Sequence, residues 1–145
     1  MEYKKSYKGF VLWMVLFIAS LFGCAFVPTE DTNLMTLLVD NIMTIGMAIL
    51  TGIIYKNEKI YWYTGLSYED AKQASSRQRK KYAMQHFKRF GIFAGIYLTY
   101  SIMAYFFAMP IGLSITIVLF GLVGVAISTM NIKLDMECQN CSDEL

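Results

Sequence analysis

The sequence predicts an all-α integral membrane protein with four transmembrane helices in two antiparallel hairpins, and a basic cytoplasmic helix leading into the third span. Three observations carry that expectation. Hydrophobic residues make up 56% of the 145-residue chain and charged residues only 17%, with a mean hydropathy of +0.42. The charges crowd into gaps between long apolar runs, as in a chain that uses lipid as part of its solvent. In a four-span reading, all 13 Lys and Arg residues then fall on one side of the bilayer.

A helix needs about 20 apolar residues to cross ~30 Å of hydrocarbon, and four stretches meet that length. Span one covers residues 9–27 and holds no charge; span two, residues 34–55, holds a single acid, Asp40. Spans three and four cover residues 91–109 and 111–130. Lipid cannot satisfy open backbone groups, and no alternating ten-residue segments of a barrel are visible, so each span is expected to be helical. Together they form one four-helix domain over residues 1–145.

The links set the order in space. Pro28-Thr29-Glu30-Asp31-Thr32-Asn33 is short and polar, with a proline that stops span one, so spans one and two are antiparallel. Ala108-Met109-Pro110-Ile111-Gly112 joins spans three and four by a tight turn whose only breakers are Pro110 and Gly112. One unbroken helix there would be twice the bilayer thickness. In the loop of residues 56–90, Lys59-Ile60-Tyr61-Trp62-Tyr63 is an aromatic cluster suited to the headgroup layer. Ser67-Tyr68-Glu69-Asp70 reads as a capping box that starts a helix at Tyr68. With no Pro or Gly before Phe90, that helix is expected to run into span three, with Gly91 as a hinge.

Orientation follows from the basic residues. Lys4, Lys5 and Lys8 precede span one, nine Lys and Arg lie in the 56–90 loop, and Lys133 follows span four; the other side has only Glu30 and Asp31. Both termini are therefore expected in the cytoplasm of a multi-pass plasma-membrane protein. The apolar N-terminal span and lysine-rich tail point to a bacterium. Arg77, Arg79, Lys80, Lys81, Lys88 and Arg89 would contact anionic lipid or a protein partner, each near-surface cation contributing about 1 kcal/mol. Topology and lipid contact explain them without nucleic acid.

Asp40 is the candidate for transport chemistry. It would sit about 9 Å inside span two, and intramembrane acids are costly and mark ion or proton paths. Asn41 adjoins it, and Thr44 and Thr51 follow at steps of four and eleven residues from Asp40. A plainer reading starts span two a turn later, leaving Asp40 at headgroup level to cap the helix or bond Thr44. A pathway would also want a second polar helix, and span one offers only Ser20 and Cys24. Gly91 and Gly95 form a G-x-x-x-G and Gly121 and Gly124 lie in span four; such residues pack helices closely, within one subunit or across a homodimer. The aromatic residues of span three, including Tyr97 and Tyr100, read as packing and interface anchors.

Cys138-Gln139-Asn140-Cys141 is a C-x-x-C pair that could provide half a zinc site, but His86 is the only histidine and two tails would be needed to complete it. An acidic, disordered terminus is the simpler expectation, and no cofactor is expected. Leu21-Phe22-Gly23-Cys24 resembles the lipobox of bacterial lipoprotein signal peptides, which would imply a lipidated Cys24 and three remaining spans. Phe22 occupies a position usually small or β-branched, and Ala25-Phe26-Val27 is apolar, so a plain helix with a buried cysteine is preferred. The chain is similar to the small four-span multidrug transporters in size and span count alone. No acid stands in span one, and nothing is carried over. With no nucleophile paired to a base and no phosphate loop, an enzyme is not expected. The favoured function is a non-enzymatic accessory, regulatory or immunity-type subunit acting through the basic loop. The alternative is a small homo-oligomeric transporter or channel using Asp40.

Overall fold

The computed structural model of the chain describes residues 3–63 and 65–134, and all its elements are helical. They are α1 (Lys8–Cys24), α2 (Thr32–Asn57), a single 3-10 turn (Ile60–Trp62), α3 (Tyr68–Gln73), α4 (Ser76–Phe106) and α5 (Ile111–Met130). Two helices are long and apolar enough to cross a membrane: α2, with 26 residues and mean hydropathy 1.9, and α5, with 20 residues and 2.4. α1 is apolar but has 17 residues. α4 has 31, the first half charged and the second apolar.

Local chemistry explains where each helix begins and ends. α2 starts two residues before Leu34 because Asp31 caps it, its Oδ1 accepting the amides of Asn33 (2.9 Å) and Leu34 (3.1 Å). The Ser67 and Asp70 capping box is present. The helix it starts is only six residues long, however, because Ala74 turns extended and Ser75 opens a second box with Gln78. Ser75 accepts the Gln78 amide at 3.2 Å, and the Gln78 carboxamide accepts the Ser75 amide at 2.7 Å. The expected single helix from Tyr68 is therefore two. Gly91 is no hinge: α4 passes through it, carrying the basic residues 77–89 and the apolar residues 91–106 on one rod.

The α4–α5 turn also differs from expectation. α4 ends at Phe106, and the residue that reverses the chain is Ala108, held left-handed at φ 47. The Met109 amide reaches back to the Ala104 carbonyl at 2.9 Å, closing a Schellman-type end in which alanine occupies the usual glycine position. Pro110 then stands before the first residue of α5.

α2 and α4 pair antiparallel along their length, α5 packs on both, and α1 lies chiefly against the side of α2. Phe17 of α1 fits over Gly46, where a Cβ would come within 2.4 Å of the ring, and stacks on Trp13 at 5.0 Å. The N-terminal tail, the segment between α2 and α4, and the residues after α5 gather at one end. There Ile54, Ile60, Tyr61, Ala71, Tyr82, Ala83 and Ile132 form a buried cluster. The Tyr3 hydroxyl donates to the Glu58 carbonyl (2.6 Å), and Tyr61 exchanges hydrogen bonds with the backbone of Ser6. The 56–90 loop is thus a folded cap.

Candidate functional site

The polar residues of α2 turn inward. Asp40, Thr44 and Thr51 are 6%, 1% and 2% exposed, sharing the helix face that meets α4. Asp40 accepts a hydrogen bond from the Tyr97 hydroxyl at 2.8 Å. The Asn41 amide nitrogen donates to the Leu37 carbonyl (2.7 Å) and the Ser101 hydroxyl (2.8 Å). Thr44 and Thr51 return their hydroxyls to their own helix, at Asn41 and Ala48. On the far side of α4, the Tyr100 and Ser114 hydroxyls lie 3.2 Å apart and tie in α5.

A second polar helix therefore exists, and it is α4. Tyr97 and Ser101 are the residues that sequence reasoning passed over, by reading the tyrosines as anchors. Their signal was present: Ala94, Tyr97, Ser101 and Ala104 recur at helical spacing as the buried, small or hydroxyl-bearing face of an otherwise apolar helix. Asp40 bonds Tyr97 across the helix pair; the bond to Thr44 does not form.

Two hollows flank this seam. A pocket of about 220 Å³ near the α2 start reaches Asn41 and Ser101. A larger cavity of about 740 Å³ lies among α2, α4, α5 and the cap, reaching Thr51, His86 and Thr129. His86 is 4% exposed. Its Nδ1 lies 3.1 Å from the Tyr82 carbonyl, which can only accept, so Nδ1 bears the hydrogen and Nε2 is left as an acceptor. Burial, opposed by the Tyr82 carbonyl and aided by Arg89, lowers the imidazole's proton affinity. Tyr63 stacks on it with centroids 4.1 Å apart. Burial pushes the Tyr63 hydroxyl up, and that oxygen finds no partner among the described residues.

The predicted basic contacts divide by position. Arg77 and Lys88 are exposed. Arg79 is drawn into the cap, only 12% of its side chain exposed, and bonds the Glu58 carboxylate at 3.0 and 3.1 Å. It also donates to the Ala71 and Ala74 carbonyls and covers the Tyr3 ring at 4.2 Å. Lys80 approaches Glu58 at 3.5 Å from a half-exposed position. Arg89 donates to the Ser128 carbonyl, and Lys81 is exposed.

Of the four predicted packing glycines, Gly121 meets a neighbour: a Cβ there would come within 2.3 Å of the Phe93 ring. Gly91, Gly95 and Gly124 face open space. Close approach instead uses Gly46 against Phe17 and Gly52 against Phe87. Cys24 is buried at the end of α1. Cys138 and Cys141 lie outside the described residues, and among those described no three metal-ligating side chains converge. Comparison with protein-family models, curated proteins and solved structures finds no match to this chain.

Proposed function

We propose that this chain is a four-span plasma-membrane protein, its termini and cap in a bacterial cytoplasm. It acts by binding, as a non-enzymatic accessory, regulatory or immunity-type subunit. Lipid as solvent is supported by α5: its most apolar window is only 11% buried at a mean hydropathy of 2.4, and Leu113, Leu119, Phe120, Val123 and Ile127 are exposed along it. A water-facing surface of that kind would be an association liability. At 1.5 Å per residue, α1 and the apolar half of α4 each cover about 25 Å, close enough to the hydrocarbon thickness for modest local thinning.

The observation that carries the binding role is the cap. A mere connector would not need two capping boxes, a carboxylate shared between Arg79 and Lys80, and an N-terminal tail tied to Glu58 and Tyr61. It presents Lys5, Lys72, Arg77, Lys80, Lys81 and Lys88 on its surface, which fits an acidic partner surface at the membrane. Native mass spectrometry of the full-length chain, purified from its own membranes in mild detergent, tests this. A second polypeptide at fixed stoichiometry, lost when Arg77 and Lys88 become Glu, is the expected result. A chain that is always recovered alone would overturn it.

The transport reading has one observation in its favour, the buried seam with a hollow at each end. It requires Asp40→Asn to abolish flux in liposomes while leaving the thermal melt in place. Unchanged flux in that variant removes it.

A further inference from the structure

We propose that the 740 Å³ cavity beneath the cap is a binding site for one anionic phospholipid of the cytoplasmic leaflet; this rests on the membrane placement argued above. The volume falls within the roughly 300–1,000 Å³ usual for small-molecule sites, as does the combination of apolar walls with a few polar groups. Its lining is mostly apolar along its whole length, with Thr51 among the α2 residues and Trp62, Leu66 and Ile132 on the cap side, and its one charged residue, Lys133, stands at the cap end. Met47, Leu50 and Phe90 line the deeper part, while Tyr63, His86 and Lys133 line the part nearest the cap. An amphiphile with its tail toward the bilayer centre and its head toward the cytoplasm has this polarity.

Three features select the head. Lys133 lines the cavity and is exposed, placing a cation at the level where headgroups lie. The Tyr63 hydroxyl is buried and has no acceptor among the described residues. A lone buried hydroxyl is destabilising unless something accepts from it; the oxygen is closed off from the cavity in this structure, so a lipid phosphate accepts from it once the phenol turns toward the cavity. His86 stacks on Tyr63 with ring centroids 4.1 Å apart, giving the phenol an aromatic neighbour on one face. The side toward α5 is bounded by Ala126 and Met130, both exposed, Met130 at 81%. A lipid in the surrounding leaflet therefore meets the cavity laterally.

The test uses the full-length protein in mild detergent, with dioleoyl phosphatidylglycerol or dioleoyl phosphatidylcholine added, read by native mass spectrometry. One phosphatidylglycerol per chain should be retained in about tenfold preference to phosphatidylcholine. Tyr63→Phe should weaken retention about 10- to 100-fold, the worth of one hydrogen bond to a charged acceptor. The same variant should melt no lower than the parent without lipid, since it removes an unsatisfied group. That opposition of signs separates a ligand-binding phenol from a merely structural one. Lys133→Ala should reduce the preference for phosphatidylglycerol while phosphatidylcholine is unaffected. Equal retention of both lipids, insensitive to either variant, would mean annular lipid and overturn the proposal. Displacement by millimolar inorganic phosphate would overturn it too, by making the site one for the free anion. Failure of membrane insertion would show separately, in surface labelling of the protein in cells.

Discussion

Glu58 ends α2 in the left-handed region, at φ 57, and its carboxylate gathers Ser76 (2.7 Å), Arg79 (3.0 Å) and Lys80 (3.5 Å). Burial alone would raise its proton affinity, but the bonds from Ser76, Arg79 and Lys80 and the Arg79 charge outweigh it, and the carboxyl titrates below its ordinary 4.5. A depressed carboxylate adds stability that is fully present above the unfolded value and is lost as pH falls through the folded one. The cap should therefore loosen below about pH 4.5, read by the fluorescence of Trp62 during thermal melts in detergent. Glu58→Gln should lower stability at pH 7 by about 1–2 kcal/mol, between exposed and buried ion pairs, and flatten that acid limb. An unchanged limb would assign the acid sensitivity elsewhere. Ala108 offers the opposite sign: a left-handed alanine costs about 1 kcal/mol relative to glycine, so Ala108→Gly should raise the melting temperature.

At the scale of helices, the glycines make contrasting predictions. Gly46→Ala and Gly121→Ala must displace Phe17 and Phe93, and Phe17 is also stacked on Trp13. Each should cost about 1–3 kcal/mol of overpacking. Gly91→Ala and Gly95→Ala meet nothing within 4 Å and should be neutral or stabilising by up to about 1 kcal/mol in a monomer. A loss of stability in these two, dependent on protein concentration, would reveal a homodimer packed on that face. Spacing alone marked Gly91 and Gly95 because G-x-x-x-G describes a helix surface without its azimuth; Gly46 and Gly52 had no motif, only aromatic partners on other helices. The helix break between Ala74 and Ser75 was legible in principle. Ser75 and Gln78 repeat the spacing of Ser67 and Asp70, but a second N-cap eight residues after the first sits inside good helix formers and is easily absorbed into one helix.

For the molecule as a whole, long apolar runs and the gathering of basic segments were readable because solvent segregation writes itself directly into composition. Asp40, Asn41 and Thr44 were visible as a stripe, yet their partners Tyr97 and Ser101 were not, since which face of α4 meets α2 is settled by packing of the whole bundle. The folding of the tail and loop into one cap also depends on contacts some 55 residues apart, such as Tyr3 with Glu58, which no local pattern encodes. That shared end gathers the N-terminal tail, the cap and the residues after α5 at one end of the helices. Single cysteines placed in a Cys24→Ser, Cys138→Ser, Cys141→Ser background can establish how many crossings there are. Cysteine at Thr29 or Met109 should react with an impermeant maleimide in intact cells, and cysteine at Lys72 or Asn131 only after permeabilisation. Labelling at Thr29 without Met109 would mean that α4 and α5 do not form a spanning hairpin. Labelling at Lys72 in intact cells would invert the orientation and move the cap, with its basic surface and its lipid cavity, to the opposite leaflet.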